Sequence, residues 1–97
     1  AQGMVVIERN FRAKTGEIDL IARDADELVF VEVRARASSG YGGAAASVDA
    51  SKRRKVVRAA SVWLAARGWD GPCRFDVVAV QGGRLEHIPG AFEADSR

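Results

Sequence analysis

Two β-prone segments separated by a short polar turn constrain the fold of this chain more than any other feature. Apolar and polar side chains alternate over residues 17–23, which is the period of a half-buried strand. Residues 28–36 are rich in Val and Phe, and Asp24-Ala25-Asp26-Glu27 between the segments is typical of a turn. The pattern predicts a β-hairpin. One side of its first strand is predicted to carry Ile18, Leu20 and Ala22, and the other Glu17, Asp19, Ile21 and Arg23.

The remaining sequence predicts one helix and three further strands. The helix begins after the N-cap residue Asp49 and ends at Gly68. Its sheet-facing residues, at helical spacing, are predicted to be Val56, Ala60, Trp63 and Leu64. Strands are predicted at 4–9, 74–80 and 84–88, with a turn at 10–15, a glycine-rich loop at 38–46 and a tail from Pro89. Residues 1–97 are thus expected to form a single α/β domain: a mixed β-sheet with a long β-hairpin and one main packed helix.

Composition excludes several classes of protein. No apolar run approaches the roughly 20 residues needed to span a bilayer, so no membrane association is expected. The first residues lack a basic segment followed by an apolar one, so no secretory signal is expected. A cytoplasmic location is expected instead. Cys73 is the only cysteine and His87 the only histidine. A metal would therefore be bound mainly by oxygen, which favours Mg²⁺ or Mn²⁺ over Zn²⁺.

The predicted hairpin sets two carboxylates against each other. A turn centred on Ala25-Asp26 pairs Asp19 with Glu32 and Glu17 with Arg34. Side chains directly opposite on one face lie about 5 Å apart at Cβ, and like charges there repel. The segment around Glu32 is otherwise apolar, and a buried carboxylate without partners is costly.

Three things would offset this repulsion: a proton, an arginine or a divalent cation. A metal ion bound by Asp19 and Glu32 would explain why two carboxylates are placed opposite each other. The alternative is an ordinary surface network in which Arg34, Arg36 and Arg23 neutralise the acids.

A basic cluster occupies the start of the predicted helix. Its members are Lys52, Arg53, Arg54, Lys55 and Arg58. Cations at a helix N-terminus oppose the helix dipole, which favours anions there. The cluster is either a solvated face or a site for backbone phosphates, so nucleic acid, DNA in particular, is the predicted partner. His87 is predicted to be an edge-strand residue rather than a catalytic one.

Four segments in order carry a resemblance to a known family: RNFR (9–12), GEIDLIA (16–22), LVFVEVR (28–34) and RFDVVAV (74–80). Together with the basic helix start leading to Trp63-Leu64, they resemble the YraN family of uncharacterised bacterial proteins. That family is similar to the restriction-endonuclease-like, PD-(D/E)XK group, which includes restriction enzymes and Holliday-junction resolvases.

The resemblance implies specific roles. Asp19 would be the motif aspartate, Glu32 the acid of the E-x-K motif, and the Val33 main-chain carbonyl a third ligand of Mg²⁺ or Mn²⁺. Arg34 stands where the motif usually has lysine, and Glu17 would orient the attacking water or Arg34. The implied function is a metal-dependent nuclease or resolvase-like protein acting on DNA phosphodiesters.

Three expectations concern the extent and class of the protein. Relatives typically begin with another helix, so the chain is expected to lack the family's N-terminal helix. An exposed strand or a missing helix would invite two copies to pair as a homodimer. The alternatives to an enzyme are a catalytically degenerate nucleic-acid-binding module and a structural or protein-interaction domain.

Overall fold

The computed structural model describes residues 3–35 and 48–94. They form a mixed five-stranded sheet in the order β1-β2-β3-β4-β5, in which β3 and β4 are parallel and the other neighbours antiparallel. The elements are β1 (Met4–Ala13), β2 (Gly16–Asp24), β3 (Glu27–Ala35), α1 (Ala50–Arg67), β4 (Cys73–Gln81) and β5 (Arg84–Phe92). The predicted mixed sheet with one packed helix is confirmed. The predicted glycine-rich loop and Arg36 lie outside the described residues.

The β2–β3 hairpin has the predicted register. Asp24 pairs with Glu27 around the two-residue turn at Ala25 and Asp26, and the pairing runs back to Leu20 opposite Val31. Ala25 adopts a left-handed conformation with φ of 57°. The alternating pattern and the polar turn were therefore sufficient to specify this hairpin.

Two strands are longer than predicted. β1 does not end at Arg9 but continues through Ala13, because Phe11 and Ala13 pack on the core while Arg12 between them faces outward. β5 does not end at Ile88 but runs to Phe92, whose ring stacks on Phe75 with centroids 5.1 Å apart. Proline is tolerated in β5 because it is an edge strand.

Helix α1 covers one face of the sheet. Asp49 caps it by accepting a hydrogen bond of 2.9 Å from the Lys52 amide, and Gly68 ends it with φ of 66°. The buried helix residues are Val56, Ala59, Ala60 and Trp63. They pack on the aromatic and aliphatic side chains of β2, β3 and β4, so the core lies between α1 and the sheet. No helix in the described ranges is both long and apolar enough to cross a bilayer.

The alternation of β2 is not regular, contrary to the prediction. Ile18 and Ile21, three residues apart, both face the core beneath α1, whereas Leu20 packs on the opposite face of the sheet. Asp19 lies at this break in the period, across from Asn10, which has φ of 55°. The predicted placement of Ile21 on the polar side is therefore wrong, and the break changes the surroundings of Asp19.

Candidate functional site

Asp19 lies where strands β2 and β3 stop pairing through their backbones. The last backbone pair before it is Leu20 with Val31. One residue further along, a side chain replaces the backbone as the hydrogen-bond acceptor: the Oδ2 atom of Asp19 accepts a hydrogen bond of 2.8 Å from the Val33 amide. This contact holds the carboxylate against the stretch of β3 that contains Glu32.

Glu32 is buried beneath the first turn of α1. Only 1% of the residue is exposed. Its Oε2 atom lies 3.4 Å from the Nζ atom of Lys52 on the helix. Its Oε1 atom is also buried and has no hydrogen-bond partner within the described part of the chain. A buried carboxylate oxygen without a partner is unusual in a native protein and calls for an explanation.

The protonation equilibrium of Glu32 reflects this setting. Burial raises the pKa of Glu32 above its ordinary value, and the negative charge of Asp19 raises it further, while Lys52 acts in the opposite direction. The net shift is upward, so the ionised side chain opposes folding. The predicted proximity of the two carboxylates is thus reflected in the electrostatics of the folded chain.

A substitution at Glu32 tests this electrostatic cost. Because the folded-state pKa is raised, the stabilising contribution of this group is complete below its unfolded pKa and is lost as the pH rises through the folded value. In the absence of metal, Glu32→Gln should therefore stabilise the fold at pH 8 by roughly 0.5–1 kcal/mol, the size of a cross-strand charge effect. Denaturant unfolding at pH 8 and pH 4 measures this, with Glu17→Gln as the control. A variant less stable than the parent at pH 8 would contradict the prediction.

The contact with Asp19 also fixes the direction of the Val33 carbonyl group. In a strand, the N–H and C=O groups of one residue point towards the same neighbour. The Val33 amide bonds to Asp19, so its carbonyl oxygen is also directed to the β2 side, where backbone pairing has ended.

The donor set that results suits a hard divalent cation. Within residues 3–35 and 48–94, no three His, Cys, Asp or Glu side chains are grouped to hold a metal ion. Mg²⁺, however, is usually bound by one or two carboxylates together with water. Two carboxylates, one of them with a free buried oxygen, meet that requirement.

Two of the predicted site residues do not form the predicted pair. Glu17 does not lie against Arg34; its carboxylate forms an ion pair of 3.1 Å with Arg12 on the neighbouring β1 strand. The cross-strand prediction overlooked β1, which flanks β2 on its other edge. Arg34 is half-buried, two residues after Glu32 and therefore on the same face of β3.

The basic cluster of α1 divides into three parts. Lys52 contacts Glu32. Arg53 turns towards the core edge, where its Nε atom donates to the Val48 carbonyl at 2.7 Å and its guanidinium lies 5.2 Å from the centroid of the Phe92 ring. The remaining members, Arg54, Lys55 and Arg58, are exposed.

Sequence reasoning missed a second charged cluster, on the sheet face away from α1. Asp76 is fully buried and accepts hydrogen bonds from Arg74 at 3.0 and 3.2 Å and from the Gly90 amide at 2.9 Å. His87, on the edge strand β5, places its Nε2 atom 2.7 Å from the Asp76 carboxylate. The available signal was an Arg-x-Asp pair within the otherwise apolar strand β4.

Burial alone would raise the pKa of Asp76, but the hydrogen bonds from Arg74, Gly90 and His87 outweigh it and lower that pKa below its usual value. Arg74 also binds Asp24 at 3.2 Å and Glu27 at 3.0 Å, at the two ends of the hairpin turn. The cluster therefore joins the hairpin to β4 and β5, and its saturated hydrogen bonding favours a structural role.

Comparison with known proteins identifies the family. The model of the uncharacterised protein family UPF0102 matches residues 1–80. A UPF0102 protein of Cupriavidus metallidurans is 58% identical over 95% of this chain and 69% of its own length. Relatives from Dechloromonas aromatica and Yersinia enterocolitica are 55% and 52% identical, each over 96% of this chain and over 77% and 82% of their own lengths. The chain therefore belongs to the UPF0102 family, which is the YraN family that its sequence motifs resemble.

Proposed function

We propose that this chain is a metal-dependent nuclease with a restriction-endonuclease-like core, acting on DNA phosphodiesters. The observation that carries the proposal is the buried, unpartnered Oε1 atom of Glu32 beside Asp19. The hairpin that carries both acids, and the helix that brings Lys52 over Glu32, are consistent with that type of core.

Asp19, Glu32 and the Val33 carbonyl would hold Mg²⁺ or Mn²⁺. Such an ion neutralises charge on the scissile phosphate and makes water a better nucleophile. Asp19 is fixed for this role by its hydrogen bond to the Val33 amide, which leaves its second carboxylate oxygen available to the ion. Glu32 is fixed by burial and by Lys52, which contacts one oxygen, while the other has no hydrogen-bond partner among the described residues.

Lys52, which contacts Glu32, and Arg34, two residues after Glu32 on β3, differ in chemistry. Arg34 follows Glu32 on the same face and supplies charge and hydrogen bonds to a phosphate, but a guanidinium does not readily give up a proton. Lys52 reaches the same carboxylate from α1, so an ammonium group is present although the strand carries arginine at the motif lysine. Lys52 is therefore assigned to the site as well as to the basic helix. The ion pair with Arg12 favours a structural role for Glu17 over the orienting role that the resemblance implies.

The exposed helix cations would receive the DNA backbone. Arg54, Lys55 and Arg58 face solvent on the helix whose first turn covers Glu32. Contacts from such side chains to phosphates position a nucleic acid without reading its sequence. The arrangement thus favours recognition of backbone shape, as a branched or single-stranded substrate would require.

Cleavage of branched and single-stranded DNA in the presence of Mn²⁺ tests the proposal. Arg34→Lys should keep or raise activity, and Arg34→Ala and Lys52→Gln should each slow cleavage strongly. Loss of one positioned donor typically costs about 2–4 kcal/mol in the barrier, which is a factor of roughly 10²–10³ in rate. Arg9→Gln is the matched control, because Arg9 is exposed and pairs with Leu20, which packs on the sheet face away from α1 and from the candidate site.

The other outcomes identify the alternatives. In a binding module, neither the parent nor Arg34→Lys cuts any substrate, yet Arg34→Ala weakens DNA binding. In a structural domain, Arg34→Ala leaves DNA binding unchanged and costs under about 1 kcal/mol of stability. Either result would remove the nuclease proposal.

A further inference from the structure

A basic groove lies between the β1–β2 turn and helix α1. It has a volume of about 310 Å³, and its charged and hydroxyl-bearing lining consists of Arg12, Lys14, Thr15, Glu17 and Lys55. Three positive side chains therefore line the groove with one carboxylate. The groove is not part of the carboxylate site described above.

The charges of this groove are incompletely paired. Arg12 is bound to Glu17 at 3.1 Å, which uses the only carboxylate of the lining. Lys14 and Lys55 have no ion pair or hydrogen bond through their side chains to any described residue. Two unpaired cations facing one groove favour the binding of an anion.

The sequence holds the helix unusually close to the turn at this point. A Cβ atom on residue 16 would lie 2.7 Å from the carbonyl oxygen of Lys55, so the approach requires glycine. Gly16 thus allows Lys55 to lie beside Lys14, although the two residues are distant in sequence. The juxtaposition of the two lysines is therefore a property of the fold rather than of a charged stretch.

The groove and the carboxylate site lie along the same two elements, β2 and α1. Lys55 is three residues beyond Lys52 on α1, which places it on the same side of the helix about 4.5 Å further along the axis. Gly16 is three residues before Asp19 on β2, a span of about 10 Å. Phosphates of one DNA strand recur about every 3.4 Å along a duplex axis. A strand with one phosphate at Asp19 and Glu32 would place a phosphate a few nucleotides away in this groove.

We infer that this groove binds a flanking phosphate of the substrate strand, so that the site selects oligonucleotides over mononucleotides. This inference rests on the proposed function and specifies oligonucleotides as the substrate class of that nuclease. Lys14 and Lys55 bind the phosphate directly. Arg12, held by Glu17, forms the wall of the groove.

Binding of single-stranded DNA of increasing length tests the inference. Fluorescein-labelled oligonucleotides of 2, 4 and 12 nucleotides are titrated with the parent chain in EDTA, to prevent cleavage, at several salt concentrations. Affinity should rise once the strand is long enough to reach the groove. Lys14→Gln and Lys55→Gln should each reduce this gain and lower the slope of log K against log salt by about 0.7, and the double variant by about 1.4.

Arg9→Gln is the charge-matched control, since it removes one exposed cation from the sheet face away from α1. If Lys14→Gln and Lys55→Gln match Arg9→Gln on the 12-nucleotide strand, the groove inference is wrong and the proposed nuclease activity stands. If the parent binds no strand but cleaves DNA in the Mn²⁺ assay, the groove inference is again wrong and the proposed nuclease activity stands. Absence of both binding and cleavage overturns the inference and the proposed function together.

Discussion

Replacing Arg74 by methionine should lower the free energy of unfolding by about 3–5 kcal/mol. The reason lies in the buried carboxylate of Asp76, which receives two hydrogen bonds from the Arg74 guanidinium. Without the guanidinium, a negative charge stays in a fully buried position with only the Gly90 amide and His87 as partners. The loss should be measured by denaturant unfolding at pH 7, with Arg84→Met, an exposed arginine on β5, as the control.

The pH dependence separates this explanation from a simple loss of packing. The lowered pKa of Asp76 stabilises the fold above the unfolded carboxyl pKa of about 3.9, and this contribution is lost as the pH falls through the folded value. The parent and Arg74→Met should therefore converge in stability as the solution is acidified. Adding Asp76→Asn to Arg74→Met should recover part of the loss at pH 7. A loss below 1 kcal/mol, or a difference that does not narrow in acid, would contradict this account.

The hairpin and the helix were predictable because their signals are local. The β2–β3 register follows from period-2 alternation around a polar turn, and α1 from Asp49 at its start and Gly68 at its end. The electrostatic effect of Asp19 on Glu32 was predictable from that register, although backbone pairing ends one residue before Asp19. Each of these features depends on residues that are near one another in sequence or joined by one short turn.

The remaining features depend on contacts between distant segments. The extensions of β1 and β5 are fixed by packing of Phe11 on the core and of Phe92 on Phe75. The partner of Glu17 proved to be Arg12, because β2 has a neighbour on both edges and the hairpin pattern describes only one of them. The break in alternation at Asp19 likewise coincides with an irregularity in β1, at Asn10.

The partners of the Arg74–Asp76 cluster also could not be predicted from the sequence. Two charged side chains in an apolar strand were a visible anomaly, but their partners come from the hairpin turn and from β5. Only the folded sheet shows that these groups satisfy one another. The carboxylates of the candidate site differ in this respect, because Glu32 keeps one oxygen without a partner among the described residues.

The second large effect concerns metal binding, on which the proposed function depends. Asp19 and Glu32 should hold Mn²⁺ together, since each leaves an oxygen for the ion and their mutual repulsion is relieved when it binds. Asp19→Asn and Glu32→Gln should each weaken Mn²⁺ binding by at least about tenfold, or 1.4 kcal/mol. Neither change should unfold the chain, and Glu17→Gln, which alters an exposed carboxylate paired with Arg12, should bind as the parent does.

Calorimetric titration of the parent chain with Mn²⁺, alongside Asp19→Asn, is the most direct measurement of this claim. We expect saturable binding by the parent and loss of that binding in Asp19→Asn and Glu32→Gln, with Glu17→Gln unaffected. Equal binding of Mn²⁺ by the parent, Asp19→Asn and Glu32→Gln, or no binding by a correctly folded parent, would contradict it.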